Sequence, residues 1–347
     1  MTLLSKDEAY RLSNICLSKN LSSSSSSSIH IRKIARLWGG MGEIYQISTE
    51  CGVSFIVKYI QYTASSIPSI GDQRKLDSYR VEVNFYQKYS HDLRLKGIGI
   101  AQCYHVEENN TGLSKNKAAT KARTQTTTII CLSVLQDAPD ENFIEQTLEW
   151  LAKFHAATWG QGNDNGWIQS VGTYWHLDTR QEEWKQMKTT GWEGRLRQAA
   201  KAIDRWLKET TPIQSWVHGD CKDANVMWDG TQIALCDFQY VGVGCPLKDV
   251  CYFLCSSGIS STVEETRYVN HYYETLCQHL TCPPPTRHDV DVALELCYCD
   301  YQRFLCGWGQ WGSDISKRVQ STLQKIDNGK NLGSDEAYEL AIHEAFD

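Results

Sequence analysis

One stretch constrains this chain more than any other. Residues 216–239 read Trp-Val-His-Gly-Asp-Cys-Lys-Asp-Ala-Asn-Val-Met-Trp-Asp-Gly-Thr-Gln-Ile-Ala-Leu-Cys-Asp-Phe-Gln. Two apolar runs, 226–228 and 232–236, flank Asp229-Gly230, a pair that tolerates positive φ at both positions. The spacing predicts a β-hairpin with a two-residue turn. That register sets Asn225 opposite Ala234. Asp237 then lies three residues further on, on the order of 10 Å of extended strand. The chain must therefore bend after Leu235 if Asn225 and Asp237 are to serve one site.

The polar residues around this hairpin form an ordered set: Asp220, then Asn225 five residues later, then Asp237 twelve further on. Such a set suits phosphoryl transfer from ATP. One carboxylate can accept a hydroxyl proton, while an amide oxygen and a second carboxylate can hold Mg²⁺. Scattered Asp and Asn on an ordinary surface hairpin would carry no such order.

Size and composition set the frame. A chain of 347 residues is long enough for two lobes with separate cores. A net charge of −6 argues against nucleic-acid binding as the main activity. No apolar run approaches the roughly 18 residues that span a bilayer, and the polar, acidic N-terminus does not resemble a secretory signal. The 14 cysteines include Cys236, Cys251 and Cys255 inside apolar runs, where they read as small hydrophobes in a reduced, cytoplasmic protein. Cys297-x-Cys299 is too tight for a zinc knuckle and has no paired partner motif.

Along the chain, Ser5-x-x-Glu8 is a capping box that opens a helix over residues 6–19. A serine run at 22–28 is low-complexity. Residues 29–62 alternate as paired strands, and Ser78 is expected to open a helix to about Tyr89 with Val81, Phe85 and Tyr89 on one stripe. The polar, basic residues 112–125 read as an exposed hairpin insert. A buried strand over 126–135 ends at Gln136-Asp137-Ala138-Pro139. Helical periodicity begins near Phe143 and covers 141–160, 180–209, 247–280 and 287–323. The boundary falls between residues 1–136, a β-rich lobe, and 137–347, a helical lobe. Eleven of the twelve tryptophans lie at or beyond Trp150.

The first lobe carries its own candidates. Gly39, Gly40 and Gly42 let backbone amides approach a triphosphate where a Cβ would obstruct. Lys58, on the following strand, can reach α- and β-phosphates. Glu82, on the next helix, can pair with Lys58 and orient it. A glycine-rich turn alone is weak evidence; the order glycine loop, Lys, Glu, Asp, Asn, Asp is much more specific.

On these residues the chain resembles the protein-kinase-like superfamily, in its branch of aminoglycoside phosphotransferases and choline kinases. The stretches 244–254 and 300–312 further resemble ecdysteroid-kinase-like proteins. The resemblance runs over about residues 30–320. It implies an α+β, bilobal fold: a small antiparallel sheet with nucleotide-binding residues, then a larger, mostly helical catalytic and substrate-binding lobe, with ATP in the cleft between. It further implies that Asp220 is the catalytic base, that Asn225 and Asp237 ligate Mg²⁺, that Lys58 binds phosphate, and that His218 and Asp249 brace the loop. Lys222 stands where aminoglycoside kinases more often carry histidine, and a lysine there can meet the transferred phosphoryl group. Gln239 replaces the acid that choline kinases carry after their metal-binding Asp.

A protein kinase needs a peptide platform of roughly twenty or more residues after its Asp-Phe-Gly, ending in Ala-Pro-Glu. Here Pro246 and Asp249 follow Asp237 almost at once. The expected activity is therefore transfer of the γ-phosphoryl group of Mg-ATP to a hydroxyl of a small metabolite, steroid-like or an amino alcohol. A nucleotide-binding pseudokinase is the alternative, although lysine, base and metal ligands are all present. Trp167, Trp175, Trp184, Trp308 and Trp311 are candidates to line an acceptor pocket.

Overall fold

The computed structural model describes residues 3–20, 28–37, 40–64, 70–112 and 124–346. Gly39, most of the serine run and residues 113–123 of the basic insert lie outside the described residues. The chain divides into two compact units, Met1–Gln136 with Asp229–Thr231, and Asp137–Trp228 with Gln232–Asp347.

The first unit is built on strands β1 (Ile29–Arg36), β2 (Gly42–Thr49), β3 (Ser54–Ala64), β4 (Cys103–Gly112) and β5 (Thr124–Ser133). They form one antiparallel sheet in the order β1-β2-β3-β5-β4. Period-2 alternation gives this sheet two different faces. Phe55, Val57 and Tyr59 join Tyr45, Ile47, Ile129 and Cys131 in one core cluster. Helix α1 (Lys6–Asn20) supplies Ala9, Leu12 and Cys16 to the same cluster. The Ser5 side chain caps its first turn by accepting from the Glu8 amide at 3.1 Å. A fully buried leucine such as Leu12 contributes about 1.5–3 kcal/mol. Ile56, Lys58 and Ile60 alternate to the opposite face.

Helix α2 (Ile70–Lys88) begins about two turns before Ser78, and α3 (Ser90–Leu95) follows it. Ser78 is thus interior, not an N-cap, and its hydroxyl donates to the Lys75 carbonyl at 2.8 Å. The hydroxyl is satisfied by the preceding turn, so a serine stops signalling a helix start.

The second unit is mostly helical. After the two-residue strand β6 (Gln136–Asp137) it contains α4 (Phe143–Ala157), α5 (Gln181–Gln186), α6 (Gly191–Arg205), α7 (Leu247–Ser256), α8 (Thr262–His279), α9 (Arg287–Trp308), α10 (Ser316–Asp327) and α11 (Asp335–Phe346). Short strands β7 (Ser215–Val217), β8 (Val226–Trp228), β9 (Ile233–Leu235) and β10 (Gly242–Gly244) lie among them. Three long helical stretches read from the sequence are each split. The run over 247–280 breaks at Gly258, with φ of +76°, and Ser261 recaps α8. The run over 287–323 stops at Gly309, whose φ of +127° disfavours a side chain. The run over 180–209 is interrupted between α5 and α6, at residues 187–190.

Helix α9 is the spine of this unit. It is capped by a reciprocal Thr286–Asp289 box and is buried almost continuously from Val290 to Leu305. Such a helix is apolar on most sides, so its buried charges need partners. Asp300 accepts from Lys248 Nζ of α7 at 3.0 Å and from Arg303 Nε at 2.8 Å. No helix among the described residues is long and apolar enough to cross a membrane. All 14 cysteines are free thiols.

Candidate active site

The segment 218–225 joins β7 to β8, and both of its ends are tied down. β7 pairs antiparallel with β10, Trp216 opposite Val243. β8 pairs with β9, Val226 opposite Leu235 and Trp228 opposite Ile233. The hairpin loop is therefore four residues, 229–232, rather than two. Asp229 explains the difference: its carboxylate accepts from the Thr231 amide at 2.8 Å and the Thr231 hydroxyl at 2.7 Å, an Asx turn that extends the loop. The register shifts accordingly, and Cys236 N donates to Asn225 O at 3.0 Å. Asp237 overshoots Asn225 by one residue, not three. The bend falls at Asp237 itself, in the left-handed region with φ of +68°.

Gly219 begins the loop proper with φ of +83°, and a Cβ there would lie 2.3 Å from Tyr240 O. Backbone on two sides excludes any side chain. Asp249, in the first turn of α7, braces the same point. Its Oδ2 accepts from His218 N at 2.6 Å and its Oδ1 from Gly219 N at 2.9 Å. His155 of α4 holds Oδ2 from the other side at 3.2 Å. His218 is fully buried, with Nε2 3.0 Å from Cys236 O and its ring 4.7 Å from that of Phe238. Burial pushes its imidazole below the ordinary histidine range, which favours a neutral ring.

Asp220 follows, 4% exposed. One oxygen accepts from Lys222 Nζ at 2.8 Å and Asn225 Nδ2 at 3.1 Å; the other accepts from the Tyr252 hydroxyl at 3.1 Å. Burial pushes the Asp220 carboxyl above its ordinary range; Lys222 partly offsets this and Asp237 adds to it. Asn225 also donates through Nδ2 to Asp220 O at 2.8 Å. Its amide nitrogen is thus committed, and the oxygen is the end left to act as a ligand. Asp237 Oδ1 accepts from Gln239 Nε2 at 2.7 Å, so the glutamine that departs from the choline-kinase pattern orients the carboxylate.

Tyr252 is the residue the sequence reading missed. It lies three positions after Asp249, and helical spacing puts the two on one face of α7. Its hydroxyl is also 3.2 Å from that of Tyr174. Burial and the Asp220 charge both push the Tyr252 phenol up, so it stays a donor. Trp311 lies against Tyr252, ring centroids 5.4 Å apart, and Trp308 stacks on Phe304 at 5.5 Å. These two indoles are 41% and 49% exposed. Trp175 is wholly buried core, and Trp184 anchors α5 through Nε1 to Arg197 O at 2.9 Å. Of the expected aromatic set, Trp308 and Trp311 are the two that lie against Phe304 and Tyr252, while Trp167, just before Ile168, is half-buried.

In the first unit, Lys58 Nζ donates to Glu82 Oε2 at 2.6 Å, and both side chains are buried. Gly40 has φ of +72°, and Gly42 sits in β2, where a Cβ would come 2.5 Å from Tyr59 O. Among the described residues no cluster of three or more His, Cys, Asp or Glu could hold a metal. The pair Asn225 and Asp237 is a different donor set, one amide and one carboxylate.

The fold is protein-kinase-like. A model of the phosphotransferase enzyme family matches residues 75–286, and the chain belongs to that family. A curated relative, a kinase-like protein of Caenorhabditis elegans described as uncharacterized, is 26% identical over 228 residues. The match covers 59% of this chain and 58% of that protein. Among solved structures, the chain is similar to an amicoumacin kinase in complex with AMP-PNP, Ca²⁺ and Ami, with a TM-score of 0.53 at 12% identity, covering 90% of this chain and 88% of that one. A microcompartment-associated aminopropanol kinase gives a TM-score of 0.51 at 13% identity over 96% and 94% of the two chains. A choline kinase of Cryptosporidium parvum gives 0.51 at 10% identity over 96% and 93%.

Proposed function

We propose that this protein transfers the γ-phosphoryl group of Mg-ATP to a hydroxyl of a small metabolite, with a steroid-like compound or an amino alcohol as acceptor. The observation that carries this reading is the state of Asp220. It is a buried carboxylate gripped by Lys222, Asn225 and Tyr252, yet pushed above its ordinary range by burial. Perturbed carboxylates of this kind concentrate at functional sites.

In the proposed mechanism Asp220 orients the acceptor hydroxyl by accepting its hydrogen bond. It takes the proton late, as the acceptor oxygen bonds to the γ-phosphorus and the bond from that phosphorus to the bridging oxygen breaks, releasing ADP. Tyr252 and Asn225 fix the carboxylate, so little reorganisation is needed. Lys222 meets the transferred phosphoryl group with positive charge. Asn225, through its uncommitted oxygen, and Asp237 would hold Mg²⁺, which neutralises phosphate charge when bound. Lys58, steadied by Glu82, binds the phosphates, and the loop with Gly39, Gly40 and Gly42 supplies backbone donors. Residues 1–136 then serve as the nucleotide-binding lobe and 137–347 as the catalytic lobe. The relative solved with AMP-PNP and Ca²⁺ supports a nucleotide and a divalent cation as the co-reactants.

The test is an ATP-consumption screen over sterols, amino alcohols, aminoglycosides and sugars, beside Mg-ATP affinity. Asp220→Ala should abolish acceptor-dependent turnover and leave Mg-ATP affinity within about threefold. Asp237→Ala should weaken Mg-ATP binding itself. Equal loss of nucleotide affinity in both variants refutes these roles. Mg-ATP binding without turnover on any acceptor makes the protein a pseudokinase.

A further inference from the structure

Beyond Tyr252, the ring cluster of Tyr174, Phe304 and Trp308 contains a cation of the protein's own. Arg180, just before α5, sets its guanidinium carbon 5.5 Å from the Tyr174 ring, 5.5 Å from Phe304 and 5.1 Å from Trp308. Its Nε donates to Tyr174 O at 2.8 Å and its Nη1 to Glu183 Oε1 at 3.1 Å. Neither bond uses Nη2. The link back to Asp220 is short: the Tyr174 hydroxyl meets that of Tyr252, which donates to Asp220.

Two glycines show that this placement is built. A Cβ at Gly307 would lie 2.0 Å from Glu183 O, so only glycine lets α5 approach α9 closely enough to set Arg180 beside Trp308. A Cβ at Gly312, where φ is +73°, would lie 2.5 Å from Cys255 O. That close turn against the end of α7 seats Trp311 on Tyr252. Both contacts are to backbone, which cannot move aside as a flexible side chain could.

Aromatic faces of this kind ordinarily attract a ligand ammonium. Here Arg180 already occupies them, and a second cation would meet like charge at close range. Glu183 balances Arg180 through Nη1 only, and Lys222 adds a positive group at the Asp220 end. An oxygen acceptor on a ligand would instead find the Nη2 donors.

We propose that Arg180 is a specificity-determining residue. The acceptor is then a ring-bearing alcohol that carries a carboxylate or carbonyl oxygen away from its reacting hydroxyl, not an amine. This rests on the phosphotransferase reading above and chooses between the acceptor classes it leaves open.

The experiment measures quenching of tryptophan fluorescence without nucleotide, so it reads recognition independently of turnover. The probes are cholic acid, its methyl ester and the analogue with an amine in place of the carboxylate, all below their aggregation concentrations. The wild-type protein should bind the acid about tenfold or more tightly than the amine, with the ester between. Arg180→Gln should erase that preference, and Arg180→Lys should keep a weakened form of it because charge survives without the planar fork. Circular dichroism checks that each variant is folded. Should Arg180→Gln not fold, the order of the three ligands on the wild type and on Arg180→Lys decides. Amine binding as tight as acid binding, a preference that persists in Arg180→Gln, or no binding of any probe overturns the proposal. Preserved ligand preference with no ATP consumption would instead sink the transfer reading and leave Arg180's role standing.

Discussion

Asp220 and Asp300 sit in the same helical unit at 4% and 1% exposure, yet their surroundings drive them in opposite directions. Burial alone would push both carboxyls up. At Asp300, Lys248 and Arg303 are themselves buried, and together they outweigh that effect and hold the carboxyl at about 2. At Asp220 the cation in hydrogen-bond contact is Lys222, a third exposed and therefore better screened, and Asp237 opposes it. The carboxyl stays raised. Two buried counter-charges over-compensate Asp300; Asp220 accepts three hydrogen bonds but has a partly exposed counter-charge, so its own charge is under-compensated.

The sharpest way to break this contrast is Asp300→Ala. It strands Lys248 and Arg303 in the core without their counter-charge, and removing one partner of a buried pair costs about 3–5 kcal/mol. Chemical denaturation should show that loss, or no folded protein at all. A loss under about 1 kcal/mol would mean that Asp300 is not the hub of its cluster. Acid should mimic the variant. Asp300 is held below its ordinary 3.8, so its contribution is complete above that value and fades as pH falls toward about 2.

What the sequence disclosed follows the range of the interactions. The Lys58–Glu82 pair was legible because strand alternation and helix spacing each fix a side-chain direction locally. The five-stranded antiparallel unit and the helical remainder were legible for the same reason. The hairpin register was not, because an aspartate side chain, not the Asp-Gly dipeptide, chose the loop length. Nor were the breaks in two of the long helical runs, where Gly258 and Gly309 at positive φ end segments that the apolar period alone would continue. Arg180 was invisible for a different reason. Its cage draws one ring from a loop and two from α9, and no local pattern reports that meeting.

A smaller perturbation tests the Asp220 side from its neighbour. Tyr252→Phe deletes one donor to the carboxylate and leaves the ring against Trp311. One hydrogen bond of this kind contributes about 0.5–1.5 kcal/mol, more to a charged acceptor. Turnover on whichever acceptor the screen finds should fall by about two- to tenfold, with the pH at half-maximal rate moving up. Lost activity with an unmoved pH profile would assign Tyr252 to packing alone.

The last test separates the two aspartates most cleanly, because it concerns the sign of a slope. Asp220→Asn keeps the shape and one of the two acceptor oxygens, which can still face Lys222 and Asn225 while its NH2 donates to the Tyr252 hydroxyl, and it removes the charge that burial disfavours. At neutral pH the variant should therefore be more stable than the wild type, by about 0.5–2 kcal/mol, the usual size of a single stabilising substitution. The folded-state carboxyl is raised above the ordinary 3.8, so the folded protein holds its proton to higher pH than the unfolded chain does. Wild-type stability from this group then declines as pH rises from 3.8 through the raised value, and levels off above it. The advantage of Asp220→Asn should grow across that same interval and vanish below it, where the wild-type side chain is neutral too. Paired thermal melts from pH 3.5 to 7.5 would read this difference directly. An advantage that is constant with pH, or a variant less stable than the wild type at pH 7, would show that Lys222, Tyr252 and Asn225 compensate Asp220 as fully as Lys248 and Arg303 compensate Asp300.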